Sequence, residues 1–123
     1  MVQNTIFLKN LILMTFLDEG EILISDTMRL MAVLAKTNEI EAGMTAYRTV
    51  QDWNRSKEAR NAEHLCAVAR ALMDVSLEAV TEILTTTSYN EDQLIAILTA
   101  VGLRPVDAKD VKKIIIKERN RRK

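Results

Sequence analysis

The chain has 123 residues, of which 48% are hydrophobic and 4% aromatic, and its formal net charge is zero. This length and apolar content suit one domain with a buried core, and the scarcity of Gly and Pro favours helices over strands. The single cysteine excludes an internal disulfide and indicates a reducing compartment, so we expect a cytoplasmic protein.

The predicted fold is all-α, a single domain over residues 1–123 that forms a compact bundle of about six helices. Its first element is an N-terminal helix within residues 4–25, whose sequence "NTIFLKNLILMTFL" is apolar on nearly every side. More apolar surface than one docking face can cover favours self-association, or binding of another protein, through this helix. The apolar run from Ile6 to Leu17 is too short for a bilayer core of ~30 Å, so we expect no membrane insertion.

Residues 26–86 form the predicted helix-turn-helix-like core. Ser25 and Asp26 are N-cap candidates for a second helix, "SDTMRLMAVLAKT". After Gly43, Thr45 is expected to cap a third helix. The apolar positions of this third helix share one face: Ala46, Val50 and Trp53.

Asn61 and Ser76 are the predicted caps of a fourth and a fifth helix, and the fifth extends to about Thr85. Both residue types accept hydrogen bonds from the first free backbone N–H groups of a helix. The core should therefore end with two short helices joined by polar turns.

Residues 90–123 are expected to form a C-terminal pair of helices. Asn90 followed three residues later by Gln93 resembles a capping box, and Gly102 is a natural C-cap with Pro105 beyond it. Asp107 is the predicted cap of the last helix, which ends in the basic sequence "KERNRRK".

The balanced net charge conceals two basic blocks. Residues 47–70 carry a formal charge of +2 and residues 109–123 a charge of +6, whereas residues 1–46 and residues 71–108 are acidic overall. A basic block can neutralise nucleic-acid phosphates, although a solvated helix face or tail has the same composition.

The segment "TVQDWNRSKEARNAEHLCAVARALMDVSLEAV", from Thr49 to Val80, resembles the second half of a helix-turn-helix domain of the Cro and phage-repressor superfamily. The family pattern has Thr-Val/Ile-x-x-Trp, a Gly-Lys-like turn, a helix of the form Leu-x-x-Leu-Ala-x-Ala-Leu, and a Val-Ser-Leu link. Two positions differ, because Glu39 replaces a small residue before the turn and Arg60 replaces a proline.

The resemblance implies a small DNA-binding transcriptional regulator that binds a short operator-like site as a dimer, through the helix around residues 45–57. Side chains on that helix would contact base edges, and basic side chains after it and in the tail would contact phosphates. The expected base contacts are Arg48, Gln51 and Tyr47. The expected backbone contacts are Arg55, Lys57, Arg60, Lys117, Arg119, Arg121 and Arg122.

No set of residues indicates catalysis or a cofactor. His64 and Cys66 lie two positions apart, which places them on different faces of a helix, and the chain has no second His or Cys to complete a zinc site. A nucleophile would need a base and an orienting acid, and neither is marked by the sequence. We therefore expect no metal site and no enzyme.

The DNA-binding interpretation has one alternative. In this alternative, Arg48, Gln51 and Arg55 are a solvated helix face and Trp53 is a core residue. The protein would then be a helical adaptor or assembly protein that binds protein partners without enzymatic activity.

Overall fold

A computed structural model describes residues 24–56 and 60–123 and confirms the all-α prediction for them. Its six helices are α1 (Ile24–Thr37), α2 (Ile40–Arg55), α3 (Ala62–Ala71), α4 (Leu77–Thr85), α5 (Glu91–Val101) and α6 (Pro105–Arg121). No strand occurs in this part of the chain. The predicted apolar helix within 4–25 lies almost entirely outside the described residues.

Helix α4 lies at the centre of the bundle. It packs against α1, α2 and α6, while α3 packs against α2 and α5, and α5 against α6. Its inward residues Ala79, Val80, Ile83 and Leu84 are almost completely buried. This central position explains why a helix of only nine residues is stable, since packing supplies what its length cannot.

Side-chain caps begin three of the helices where the sequence predicts them. The side chains of Asn61, Ser76 and Asn90 each accept a hydrogen bond from a backbone N–H in the first turn of α3, α4 and α5. Asn90 and Gln93 form a reciprocal capping box, with bonds of 2.8 and 2.9 Å. Gly102 ends α5 with a φ of 121°, a conformation that L side chains rarely adopt.

Two predicted caps are wrong. Helix α1 already includes Ser25 and Asp26, so neither residue is its N-cap. Helix α6 begins at Pro105, whose fixed φ and missing N–H suit the first helical position. Asp107 therefore lies in the first turn, where its carboxylate accepts a hydrogen bond of 2.8 Å from Arg104.

The predicted break at Gly43 is also wrong, because α2 continues through it. The turn comes earlier, at Asn38, whose φ is 57°. A Cβ atom at Gly43 would lie 2.2 Å from Cδ2 of Leu34, so the glycine allows α2 to approach α1 closely. Thr45 does not cap a helix, since its hydroxyl donates to the carbonyl of Glu41 at 3.0 Å.

Candidate functional site

Two of the three predicted base-contacting side chains face the core. Tyr47 is 1% exposed and Gln51 is 7% exposed. The Nε2 of Gln51 donates a hydrogen bond of 2.6 Å to the Thr86 hydroxyl. The prediction that these residues reach DNA bases is therefore wrong, because α2 directs this face towards the bundle. Arg48 is exposed, as predicted.

Trp53 is only partly buried, contrary to its predicted place in the core. Its ring meets the His64 imidazole edge-on, with the ring centroids 5.0 Å apart. His64 is buried, and its Nε2 lies 2.8 Å from the Tyr89 hydroxyl oxygen. Burial raises the pKa of Tyr89, with an opposing effect from the nearby Arg60 guanidinium. This stack joins α2, α3 and the α4–α5 connection.

Arg60, a predicted phosphate contact, lies beside this stack of aromatic rings. Its guanidinium lies 4.6 Å from the centre of the Tyr89 ring and donates to the carbonyl of Asn54 at 2.9 Å. A further bond of 3.0 Å reaches the Ser88 hydroxyl. Arg60 thus takes part in packing and hydrogen bonding within the fold, which corrects its predicted assignment to DNA.

Arg119, from the basic tail, binds the end of α4. Its guanidinium donates to the carbonyls of Leu84 and Tyr89 at 2.9 and 2.7 Å, and to the Thr87 hydroxyl at 2.9 Å. A longer bond of 3.3 Å reaches the carbonyl of Thr85. Free carbonyls at a helix C-terminus favour such a cation. Because its donors bond to carbonyls and a hydroxyl of the fold, Arg119 is not the expected phosphate contact.

Arg122 connects three helices through carboxylates. Its guanidinium donates to Asp26 of α1 at 3.1 Å, to Glu82 of α4 at 2.8 Å and to Glu118 of α6 at 3.0 Å. The side chain is 13% exposed. Arg121 bonds to the same Glu118 carboxylate. Carboxylates of three helices thus hold Arg122, which corrects its predicted role as a DNA contact, whereas Arg121 is exposed.

Four predicted backbone contacts remain. Arg55 is exposed on α2, and Lys117 and Arg121 are exposed on α6. Lys57 lies outside the described residues. The structure therefore does not bring the predicted DNA contacts together on one basic surface within the described residues.

The Glu118 carboxylate gives the fold a predicted pH dependence. Hydrogen bonds from Arg121 and Arg122 lower its pKa from 4.5 to about 2. A depressed pKa stabilises the folded state above pH 4.5, and this contribution is lost as pH falls towards about 2. We expect the difference in unfolding free energy between wild type and Glu118→Gln to shrink over that interval in urea titrations.

Asp52→Asn supplies the matched control for this pH series, since Asp52 is an exposed carboxylate on α2. The difference in unfolding free energy between wild type and Asp52→Asn should change less with pH. A Glu118→Gln difference that is constant from pH 6 to pH 2 would contradict the assignment.

An open groove of about 560 Å³ runs between α2 and α3. Its lining, which we call the α2–α3 groove, consists mainly of small side chains: Ala42, Thr45, Ala46, Thr49, Ala67 and Ala71. Trp53 also lines it, and Arg70 and Asp74 supply its charged residues. Sequence analysis missed this surface, although the spacing of small residues by three and four positions on α2 was its visible signal.

The threonines make the α2–α3 groove less polar than its composition suggests. The Thr45 hydroxyl donates to the carbonyl of Glu41 at 3.0 Å, and the Thr49 hydroxyl donates to the carbonyl of Thr45 at 2.9 Å. Both hydroxyls are therefore satisfied within α2. The groove can bind an apolar surface without leaving these hydroxyls unpaired.

No group of three or more His, Cys, Asp or Glu side chains among the described residues could hold a metal ion. No described helix has both the length and the apolar character needed to cross a bilayer. No family model, curated protein or solved structure matches the chain.

Proposed function

We propose that the protein is a cytoplasmic helical adaptor without enzymatic activity, which binds a helix of a partner protein in the α2–α3 groove. One observation carries this proposal: the groove is open and lined by methyl groups beside the partly buried ring of Trp53. Apolar grooves of this kind accept the apolar face of an amphipathic helix.

The small lining residues define the chemistry of the partner. Alanine and threonine side chains let a second backbone approach closely, so the partner helix should place aliphatic side chains three and four residues apart in the groove. Trp53 offers the broad apolar contact that often anchors an interface. Arg70 and Asp74, both exposed, can orient the partner through residues of opposite charge.

Selection from a library of displayed helical peptides would test the adaptor proposal. We expect the selected peptides to share aliphatic residues at helical spacing. Ala67→Glu, which places a charge in the groove, should weaken their binding at least tenfold, the equivalent of about 1.4 kcal/mol. Ala100→Glu, at an exposed position of α5, is the matched control and should leave binding unchanged.

A library that yields no helical peptide would contradict the adaptor proposal. Equal weakening by Ala67→Glu and Ala100→Glu would do the same, because binding would then not depend on the groove. Circular dichroism of both variants separates a lost contact from a lost fold.

A dimeric DNA-binding regulator is the second candidate, and one observation favours it. Arg48 and Arg55 are both exposed and lie seven residues apart on α2, close to two helical turns. If Arg48 contacts a base, Arg48→Ala should reduce the free energy of binding to a selected DNA site by about 1–3 kcal/mol. The same change should have little effect on binding to random DNA. Titration of both duplexes at two salt concentrations measures this difference. Equal losses of affinity on the two duplexes would contradict a base contact by Arg48.

A further inference from the structure

The outward face of α6 carries a regular row of cations. Four exposed side chains follow one another at intervals of four residues, and we call them the lysine row: Lys109, Lys113, Lys117 and Arg121. The opposite side of the helix is buried against the bundle at Val111 and Ile115. The row therefore lies on a packed helix and not on a free tail, so its cations keep a regular spacing.

The three lysines of the row form no ion pair with any other residue that the structure describes. The ion pairs beside them involve other cations, since Lys112 meets Glu91 at 3.8 Å and Arg121 bonds to Glu118. One acidic side chain, the exposed Asp110, lies within the row. Like charges four residues apart on a helix repel one another, and a bound polyanion would remove this repulsion.

The row extends across the exposed face of α6. Lys109 and Arg121 are twelve residues apart, which corresponds to about 18 Å along the helix axis and a turn of about 120° around it. The two ends of the row therefore point to different sides of this face. The major groove of B-DNA is about 12 Å wide and admits an α-helix, with phosphates along both of its edges. A row with this turn can reach both edges.

We propose that the lysine row binds the phosphate backbone of double-stranded DNA without regard to base sequence. A duplex carries one charge per ~1.7 Å of its axis, so a row of about 18 Å faces roughly ten phosphates in any register. A lysine ammonium group is a compact point charge on a flexible stem, and it binds phosphate without a fixed hydrogen-bonding geometry. Such contacts require no particular base.

The composition of α6 favours duplex DNA over other polyanions. No aromatic residue occurs between residues 90 and 123, so α5 and α6 offer no side chain on which the bases of a single strand could stack. Duplex RNA has a deep and narrow major groove. An anionic membrane surface favours apolar side chains on the face opposite the cations. Between Lys109 and Lys117 the one exposed apolar side chain is Ile114, and it lines a groove against α4.

This inference concerns a surface separate from the α2–α3 groove and from Arg48 on α2, and it depends on neither function proposed above. Base reading by Arg48 predicts a preference for a selected site, whereas the lysine row should bind a selected and a scrambled duplex equally. A failure of the lysine-row proposal would therefore leave the adaptor and regulator proposals untouched.

Titration of the full chain against a labelled DNA duplex of random sequence, at several salt concentrations, tests the proposal. The logarithm of the association constant should fall with the logarithm of salt concentration with a slope of about −3 to −4, since each neutralised phosphate contributes about −0.9. Lys113→Gln should weaken binding roughly fivefold at low salt and make the slope less steep by about one. Asp110→Asn should strengthen binding, because it removes the carboxylate within the row.

Lys36→Gln is the matched control, since it removes an exposed lysine of α1 that lies outside the row. It should leave DNA binding unchanged, and circular dichroism verifies the fold of each variant. Three results would overturn the proposal: no binding at low salt, equal weakening by Lys36→Gln and Lys113→Gln, or weaker binding by Asp110→Asn. Tighter binding of single-stranded DNA, duplex RNA, polyglutamate or phosphatidylserine vesicles at the same salt concentration would also overturn it.

Discussion

Replacement of Gly43 by valine is expected to lower the free energy of unfolding by about 3 kcal/mol, near the upper end of the range for overpacking a buried contact. The new Cβ would lie 2.2 Å from Cδ2 and 2.9 Å from Cγ of Leu34. Leu34 is itself completely buried, so it cannot turn away without disturbing other core residues. Urea denaturation followed by circular dichroism measures the change.

A double-mutant cycle isolates this contact from the helix preference of the new residue. Gly43→Ala alone should destabilise the protein, because its Cβ meets the same Leu34 atoms. In a Leu34→Ala background those atoms are gone, and Gly43→Ala should stabilise α2 by about 1 kcal/mol through helix propensity. If Gly43→Ala has the same effect in both backgrounds, the contact with Leu34 is not its cause.

The second large effect is expected at Arg119. Arg119→Met removes three hydrogen bonds to backbone carbonyls and one to the Thr87 hydroxyl, and it leaves the end of α4 without its cation. Since hydrogen bonds to charged groups contribute about 1.5–3 kcal/mol and Arg119 is partly exposed, we expect a total loss on the order of 3 kcal/mol. Thermal and urea unfolding provide the measurement.

Lys117→Met is the control for Arg119→Met. It makes the same kind of replacement two residues earlier on α6, at an exposed position. Surface substitutions of this kind usually change the free energy of unfolding by no more than about 0.5 kcal/mol. Comparable losses for the two variants would show that the Arg119 contacts do not stabilise the end of α4.

Local signals in the sequence correctly predicted three of the helix starts. Asn61, Ser76 and Asn90 cap their helices because each cap depends on backbone groups within a few residues. Gly43 shows the limit of such signals. A glycine permits either a turn or a close helix contact, and only the position of Leu34, nine residues away, decides between them.

The positions of the candidate site residues depend more strongly on tertiary contacts than the helix starts do. Gln51 and Arg48 are three residues apart on the same helix, yet one is buried and the other exposed, because the neighbouring helices cover only one side of α2. The arginines of the tail were predictable as cations but not as internal ones. Their carboxylate partners Asp26 and Glu82 precede Arg122 by 96 and 40 residues, beyond the reach of any local pattern.

The contact between Arg122 and Asp26 also determines when α1 can complete its interactions during synthesis. At the usual 5–20 residues per second, a ribosome needs about 5–20 s to add the 96 residues that separate them. Helix α1 also packs against α4, which is synthesised later, and its residues Leu30 and Leu34 are completely buried in the complete fold. Until then its apolar face is accessible to chaperones and to other nascent chains. Among the described helices, α1 is therefore synthesised first but reaches its final environment only after α6 has emerged.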